Sequence, residues 1–151
     1  MDQEERFQPT EEDGKLALRE HAKLRGMEAR HKYGEIGPEN LSALLKDPSV
    51  VRFPTILRFD AEPLEPGEFA FPSPLGEKPG DGYCLFVHPF FQDRPEALPF
   101  LVSYQLVRIN YGEVATHEDA EAFGAALLGL DQEEYYQEIC RLADELAAQG
   151  A

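Results

Sequence analysis

Apolar residues recur at helical spacing in several segments of the chain, and turn residues separate these segments. The sequence predicts five helices near 11–33, 38–46, 99–111, 117–128 and 132–148. Three of them begin with pairs at capping-box spacing, namely Thr10 with Asp13, Thr116 with Asp119, and Asp131 with Glu134. In the last helix, the apolar stripe is predicted to consist of Tyr136, Ile139, Cys140, Ala143, Leu146 and Ala147.

The segment "PFLVSYQLVRINYG", residues 99–112, is compatible with either a buried helix or a long buried strand. Its length favours a helix, and Pro99 and Gly112 suit the two ends of one. Its β-branched residues keep the strand alternative open. We predict a helix here.

Alternation of apolar and polar residues marks the middle of the chain as β structure. Residues 50–60, "VVRFPTILRFD", place five residues on one strand face: Val51, Phe53, Thr55, Leu57 and Phe59. Pro54 cannot donate to a sheet, which favours an edge strand or a bulge. Residues 82–90 form a second predicted strand, and 67–71 a short third one. Because the strands are clustered, we predict an α+β fold with a small antiparallel sheet of two or three strands and about five helices.

With 151 residues, the chain has the length of one domain. We predict an acidic, flexible N-terminus over 1–12 and a single α+β domain over 13–151. No apolar run reaches the roughly 20 residues of a membrane helix. The acidic N-terminus does not resemble an export signal. We therefore expect a soluble, cytoplasmic protein with two reduced cysteines, Cys84 and Cys140.

Charge is distributed unevenly along the chain. The net charge of −15 divides into −5 for residues 1–14, −1 for 15–112 and −9 for 113–151. The negative electrostatic field of such a chain disfavours nucleic acid and anionic membranes as partners. The first helix is the exception, with a basic stripe of Lys15, Arg19, Lys23 and Arg30. We expect this stripe to face acids from 113–151, within one chain or across a dimer.

The first helix is also poorly amphipathic, because its apolar residues form two narrow strips rather than one face. One strip contains Leu16, Leu24 and Met27, and the other Leu18, Ala22 and Ala29. Two strips indicate a helix with neighbours on two sides, or one that lies across a subunit boundary.

Cys84 and His88, in "DGYCLFVHPFF", lie on one face of a predicted strand. Four strand residues separate their Cα atoms by about 13 Å, too far to share a zinc ion or a thiol–imidazole hydrogen bond. His117 and Glu121, in "HEDAE", match only part of a helical zinc motif, and acids are favoured in a first helical turn in any case. We predict no metal and no cofactor.

The one internal constellation is Tyr104, Arg108 and Tyr111, which share a face if 99–111 is a helix. Its neighbours are apolar, so we expect Arg108 to be mostly buried and paired with a carboxylate. The alternative is that Arg108, with Tyr104 and His88, lines a pocket for a small anion.

Two functions follow from these patterns. The leading hypothesis is a non-enzymatic domain that acts through a protein partner or through self-association as a homodimer. The second is a small-molecule-binding protein or hydrolase-type enzyme with a site near His88, Tyr104 and Arg108. A cavity in which these residues converge would favour the second, and an exposed apolar patch the first.

Overall fold

The computed structural model describes residues 10–150. Its helices are α1 (Glu11–Tyr33), α2 (Leu41–Lys46), α3 (Leu98–Tyr111), α4 (His117–Leu128) and α5 (Gln132–Gly150). Its strands, between α2 and α3, are β1 (Thr55–Phe59), β2 (Ala70–Pro74) and β3 (Tyr83–Val87). The α+β class with three C-terminal helices is confirmed. Of the predicted N-terminal segment 1–12, residues 1–9 lie outside the described residues, whereas 11 and 12 belong to the first turn of α1.

The helix starts follow the predicted caps. The Thr10 hydroxyl accepts from the Asp13 N–H at 3.0 Å, and the Asp13 carboxylate accepts from the Thr10 N–H at the same distance. Thr116 with Asp119 and Asp131 with Glu134 make the same reciprocal bonds. Each pair satisfies two backbone N–H groups that have no partner within the helix.

Segment 98–111 is a helix, which resolves the ambiguity of the sequence. Nine of its fourteen residues are buried, including the β-branched Val102, Val107 and Ile109. A helix that is apolar nearly all round is stabilised by packing on several sides, and this outweighs the weak strand preference of its β-branched residues. The sheet packs on one part of α3, and α4 and α5 pack on others.

The sheet is mixed rather than purely antiparallel. Strand order is β1-β3-β2, with β3 parallel to β1 and antiparallel to β2. In this register Leu85 lies opposite both Leu57 and Pro72. Prolines are tolerated in β2 because it is an edge strand, with one row of backbone groups outside the ladder. After β1 the chain crosses to the far edge of the sheet to form β2, and β3 then lies between β1 and β2. The alternation of apolar and polar residues does not specify this order.

All three strands are shorter than predicted or shifted. Val50 and Val51 are buried in a turn in which both backbone N–H groups donate to the Asp47 carbonyl at 2.9 Å, so β1 begins only at Thr55. The strand predicted at 67–71 lies at Ala70–Pro74. After Val87, the Pro89–Phe91 turn ends β3.

The buried stripe of α5 is rotated from its predicted position. Tyr135, Ile139, Leu142 and Leu146 are buried, whereas Tyr136 is 46% exposed. The Tyr135 hydroxyl donates to the Phe100 carbonyl at 2.9 Å and lies 2.8 Å from Ser103 Oγ. Complete burial raises the pKa of Tyr135, which keeps its proton and remains a donor.

Helices α1 and α4 approach each other closely through small residues. Ala22, Gly26 and Ala29 form the buried side of α1. A Cβ placed on Gly26 would lie 2.6 Å from the Phe123 carbonyl oxygen of α4. The helix backbones can reach this separation only because no side chain intervenes.

The basic stripe of α1 is only partly directed at the C-terminal acids. Arg19 Nε lies 3.2 Å from Asp119 Oδ1 on α4, and the Asp119 side chain is only 3% exposed. Arg30 packs its guanidinium against Gly129, where α4 ends. Lys15 instead pairs with Glu11 of its own helix at 3.8 Å, and Lys23 is exposed. Of the basic stripe, the two arginines therefore contact α4 and its C-terminal end, and the two lysines do not.

We expect Gly26→Ala to destabilise the fold by about 1–3 kcal/mol, because the new methyl group overpacks the α1–α4 contact. Replacement of glycine by alanine at an uncrowded helix position would instead stabilise the helix by up to about 1 kcal/mol. Gly14→Ala is the matched control, since a Cβ there meets nothing within 4 Å. Urea unfolding of both variants measures the difference. Equal effects of the two substitutions would contradict the close contact.

Asp47, which follows α2, collects four hydrogen bonds. Its carboxylate accepts from Lys32 Nζ at 2.7 Å, from the Tyr33 hydroxyl at 2.5 Å, and from the Ser49 N–H and hydroxyl at 2.9 and 2.7 Å. These donors, first Lys32, then Tyr33 and Ser49, hold the pKa of Asp47 well below its usual range. The residue thereby ties the end of α1 to the turn before β1.

Because the pKa of Asp47 is lower in the folded than in the unfolded state, its ionised carboxylate stabilises the fold at pH values above the unfolded pKa of about 3.9. This stabilisation is lost as the pH falls through the folded-state pKa. We expect Asp47→Asn to lower the free energy of unfolding by about 1–3 kcal/mol at pH 7. The difference from wild type should shrink steadily below about pH 4. Urea titrations between pH 7 and 2 measure it, with exposed Asp93→Asn as control. A constant difference across this range would refute the assignment.

Candidate functional site

A cavity of about 600 Å³ opens between β2, α3, α4 and α5. Its apolar wall includes Phe69, Val107, Ala115, Ala120, Ile139 and Ala143. Its polar side chains are Glu68, Tyr104, Gln105, Arg108, Glu113, Thr116 and His117. The volume lies within the range of small-molecule sites, which combine an apolar lining with a few directed polar groups.

Tyr104 and His117 form the hydrogen-bonded pair of this cavity. The Tyr104 hydroxyl lies 2.5 Å from His117 Nδ1, and the rings stack with centroids 6.1 Å apart. Burial, reinforced by the Glu121 charge, raises the pKa of Tyr104 to about 12, so the phenol keeps its proton at neutral pH. We assign the tyrosine as donor to Nδ1, which leaves the proton of a neutral His117 ring on Nε2.

Arg108 lines the same cavity, but it is not buried as predicted. Its side chain is 51% exposed, and its nearest carboxylate, Glu113, lies 3.8 Å away and is 90% exposed. The guanidinium carbon lies 5.5 Å from the Phe71 ring centroid. The flanking residues Val107 and Ile109 occupy the buried sides of α3, which leaves position 108 at the cavity mouth. The prediction of a mostly buried Arg108 is therefore wrong.

The short connection between α3 and α4 brings these groups together. Gly112 ends α3 at φ +73°, a conformation that favours glycine, and its N–H donates to the Arg108 carbonyl at the helix end. Residues 112–114 form one 3-10 turn, and Thr116 then caps α4. This reversal returns His117 to the side of Tyr104.

Tyr111, predicted on the same face of α3, serves a different contact. Its hydroxyl lies 2.5 Å from His21 Nδ1 of α1, with the two rings edge to face. Tyr111 therefore joins α3 to α1 and is not among the residues that line the cavity.

His88 does not join Tyr104 and Arg108. It lines a second cavity of about 530 Å³ between the β1–β2 connection and the end of α5, and the two cavities share Gly67. His88 Nδ1 accepts the Phe90 N–H at 3.1 Å and so caps the turn that follows β3. Cys84 is buried within β3, and burial raises the pKa of its thiol.

The residue that sequence reasoning missed is His117. The sequence indicates this residue only as part of an incomplete zinc motif at a helix start. No group of three or more potential metal ligands occurs among the described His, Cys, Asp and Glu residues. The partnership of His117 with Tyr104 has no local sequence signal, because thirteen residues and a chain reversal separate them.

Comparison with protein-family models, with curated proteins and with solved structures finds no match to this chain. Within residues 10–150, no helix is both long enough and apolar enough to cross a bilayer.

The geometry of Arg108 predicts a small effect on folding. Exposed ion pairs contribute about 0–1 kcal/mol, so Arg108→Met should change the free energy of unfolding by less than about 1 kcal/mol. Urea unfolding at neutral pH measures this change. A loss of about 3–5 kcal/mol would instead reveal a desolvated ion pair.

Proposed function

We propose that this chain binds a small monocarboxylate with an apolar body in the cavity between β2, α3, α4 and α5. The observation that carries the proposal is one concave site that combines Arg108 and the Tyr104–His117 pair with an apolar wall. This corresponds to the second of the two functions that the sequence allowed, with His117 in the place expected for His88.

Arg108 is the anchor for the carboxylate. A guanidinium presents a planar fork of donors that matches a carboxylate, and such charge-assisted hydrogen bonds are stronger than neutral ones. The present partner, Glu113, is distant and almost fully exposed, so a ligand carboxylate can replace it at little cost. His117 lines the same cavity, and its Nε2–H is a further donor for the ligand.

The surrounding charges favour a monoanion over a polyanion. Glu68 and Glu113 also line the cavity, and the chain carries −15 overall. Additional negative charge on a ligand, such as a phosphate chain, would be repelled. The apolar body of the ligand would instead contact Phe69, Val107 and Ile139.

Binding is better supported than hydrolysis. No serine or cysteine belongs to the described residues that line the cavity, and the Thr116 oxygen accepts the Asp119 N–H as a helix cap. A nucleophile activated by a base, as hydrolases of that kind require, is not assembled here. The expectation of a cytoplasmic location stays a prediction.

Calorimetric titration with hexanoate, 4-phenylbutyrate and the uncharged hexan-1-ol tests the proposal. We expect both carboxylates to bind more tightly than the alcohol. Arg108→Met should weaken carboxylate binding by about 10- to 100-fold, since a hydrogen bond to a charged group contributes about 1.5–3 kcal/mol. Binding of hexan-1-ol should be unchanged in this variant.

Arg58→Met is the matched control, because Arg58 is an exposed arginine of β1 outside the cavity lining. It should bind both carboxylates like wild type. Amide chemical-shift changes should concentrate on the cavity walls. The proposal is overturned if neither carboxylate binds, or if the Arg108 and Arg58 variants bind equally well.

A further inference from the structure

Helix α1 buries one strip of its apolar residues and leaves the other uncovered. Its buried residues, Ala22, Gly26 and Ala29, face α4. Leu16, Leu24 and Met27, on the opposite side, are 55%, 54% and 52% exposed. The sequence predicts neighbours on two sides of this helix, and the second strip stays exposed in the described part of the chain.

The exposed side has the spacing of a helix–helix seam. Leu16, Glu20, Lys23 and Met27 follow one another at intervals of four, three and four residues, as the a and d positions of a coiled coil do. Glu20 and Lys23, both exposed, occupy the centre of this seam. Neither forms an ion pair with another residue of the described part of the chain.

This seam is complementary to itself in the antiparallel direction. A two-fold axis between residues 21 and 22 places Leu16 opposite the partner's Met27 and Glu20 opposite the partner's Lys23. Symmetry repeats both contacts, as an isologous interface requires. We propose that two copies of this chain pair through antiparallel α1 helices.

Charge determines the direction of the pairing. In a parallel pair, Glu20 would face the partner's Glu20 and Lys23 the partner's Lys23, and like charges across a seam are unfavourable. In the antiparallel pair each charge meets its opposite twice. The same pattern makes a second copy a better occupant than a protein whose surface carries one sign of charge.

The seam is short, so the dimer should be weak. Leu16 and Met27 are about 16 Å apart along the helix at 1.5 Å per residue. A stable complex usually buries about 800 Å² on each partner, more than one face of this length provides. The dimer uses no cavity residue, so its test is independent of ligand binding.

Sedimentation equilibrium up to about 0.5 mM protein at low salt measures the pairing, because weak homodimers dissociate at lower concentrations. We expect wild type to dimerise reversibly. Glu20→Lys alone and Lys23→Glu alone should each weaken the homodimer by at least about tenfold, since each creates two like-charge contacts. An equimolar mixture of the two single variants should dimerise again, because each charge then meets its opposite. The double variant Glu20→Lys/Lys23→Glu should also recover.

Glu39→Lys and Lys46→Glu are the matched controls, with the same charge changes at exposed positions outside α1. They should dimerise like wild type. Leu16→Gln should weaken dimerisation without a change of charge, and melting curves should confirm that every variant is folded. A monomeric wild type, or single variants whose mixture does not recover, would overturn the antiparallel α1 dimer.

Discussion

Helix α4 is the element on which the rest of the described structure depends, because it packs against α1, α3 and α5 at once. Two glycine contacts permit this. Gly26 of α1 lets the Phe123 carbonyl approach, and Gly124 of α4 accepts the Tyr135 ring, which would lie 2.1 Å from a Cβ. Close packing without strain requires that each side chain fill only the space its neighbours leave. Here that space is zero at two positions, so glycine is required.

The cavity is a consequence of this packing. The first turn of α4 lines the cavity together with the end of α3 and the start of β2. His117 and Arg108 belong to these two helix ends, and Tyr104 lines the same cavity beside His117. Polar groups at helix ends are less costly to place beside an apolar floor than polar groups within a core, because water still reaches them. The arrangement suits a ligand with one charged end.

The two proposed activities use separate parts of the molecule. The ligand site belongs to α3, α4, α5 and the approach to β2, whereas the dimer seam belongs to the outer side of α1. Arg19 and Asp119 join α1 to the start of α4, two residues from His117. A small-molecule-binding domain that self-associates is consistent with both hypotheses raised by the sequence, which are therefore compatible rather than exclusive.

The sequence by itself determined the local structure. The caps at Thr10 and Thr116 and the extent of α4 depend on residues three or four positions apart, and both were predictable. The parallel pairing of β1 with β3, the burial of Tyr135 rather than Tyr136, the exposure of Arg108 and the Tyr104–His117 pair were decided by tertiary structure. Each of these depends on which distant segments meet. Periodicity along the chain specifies which face of an element is apolar, but only packing against other elements decides what that face touches.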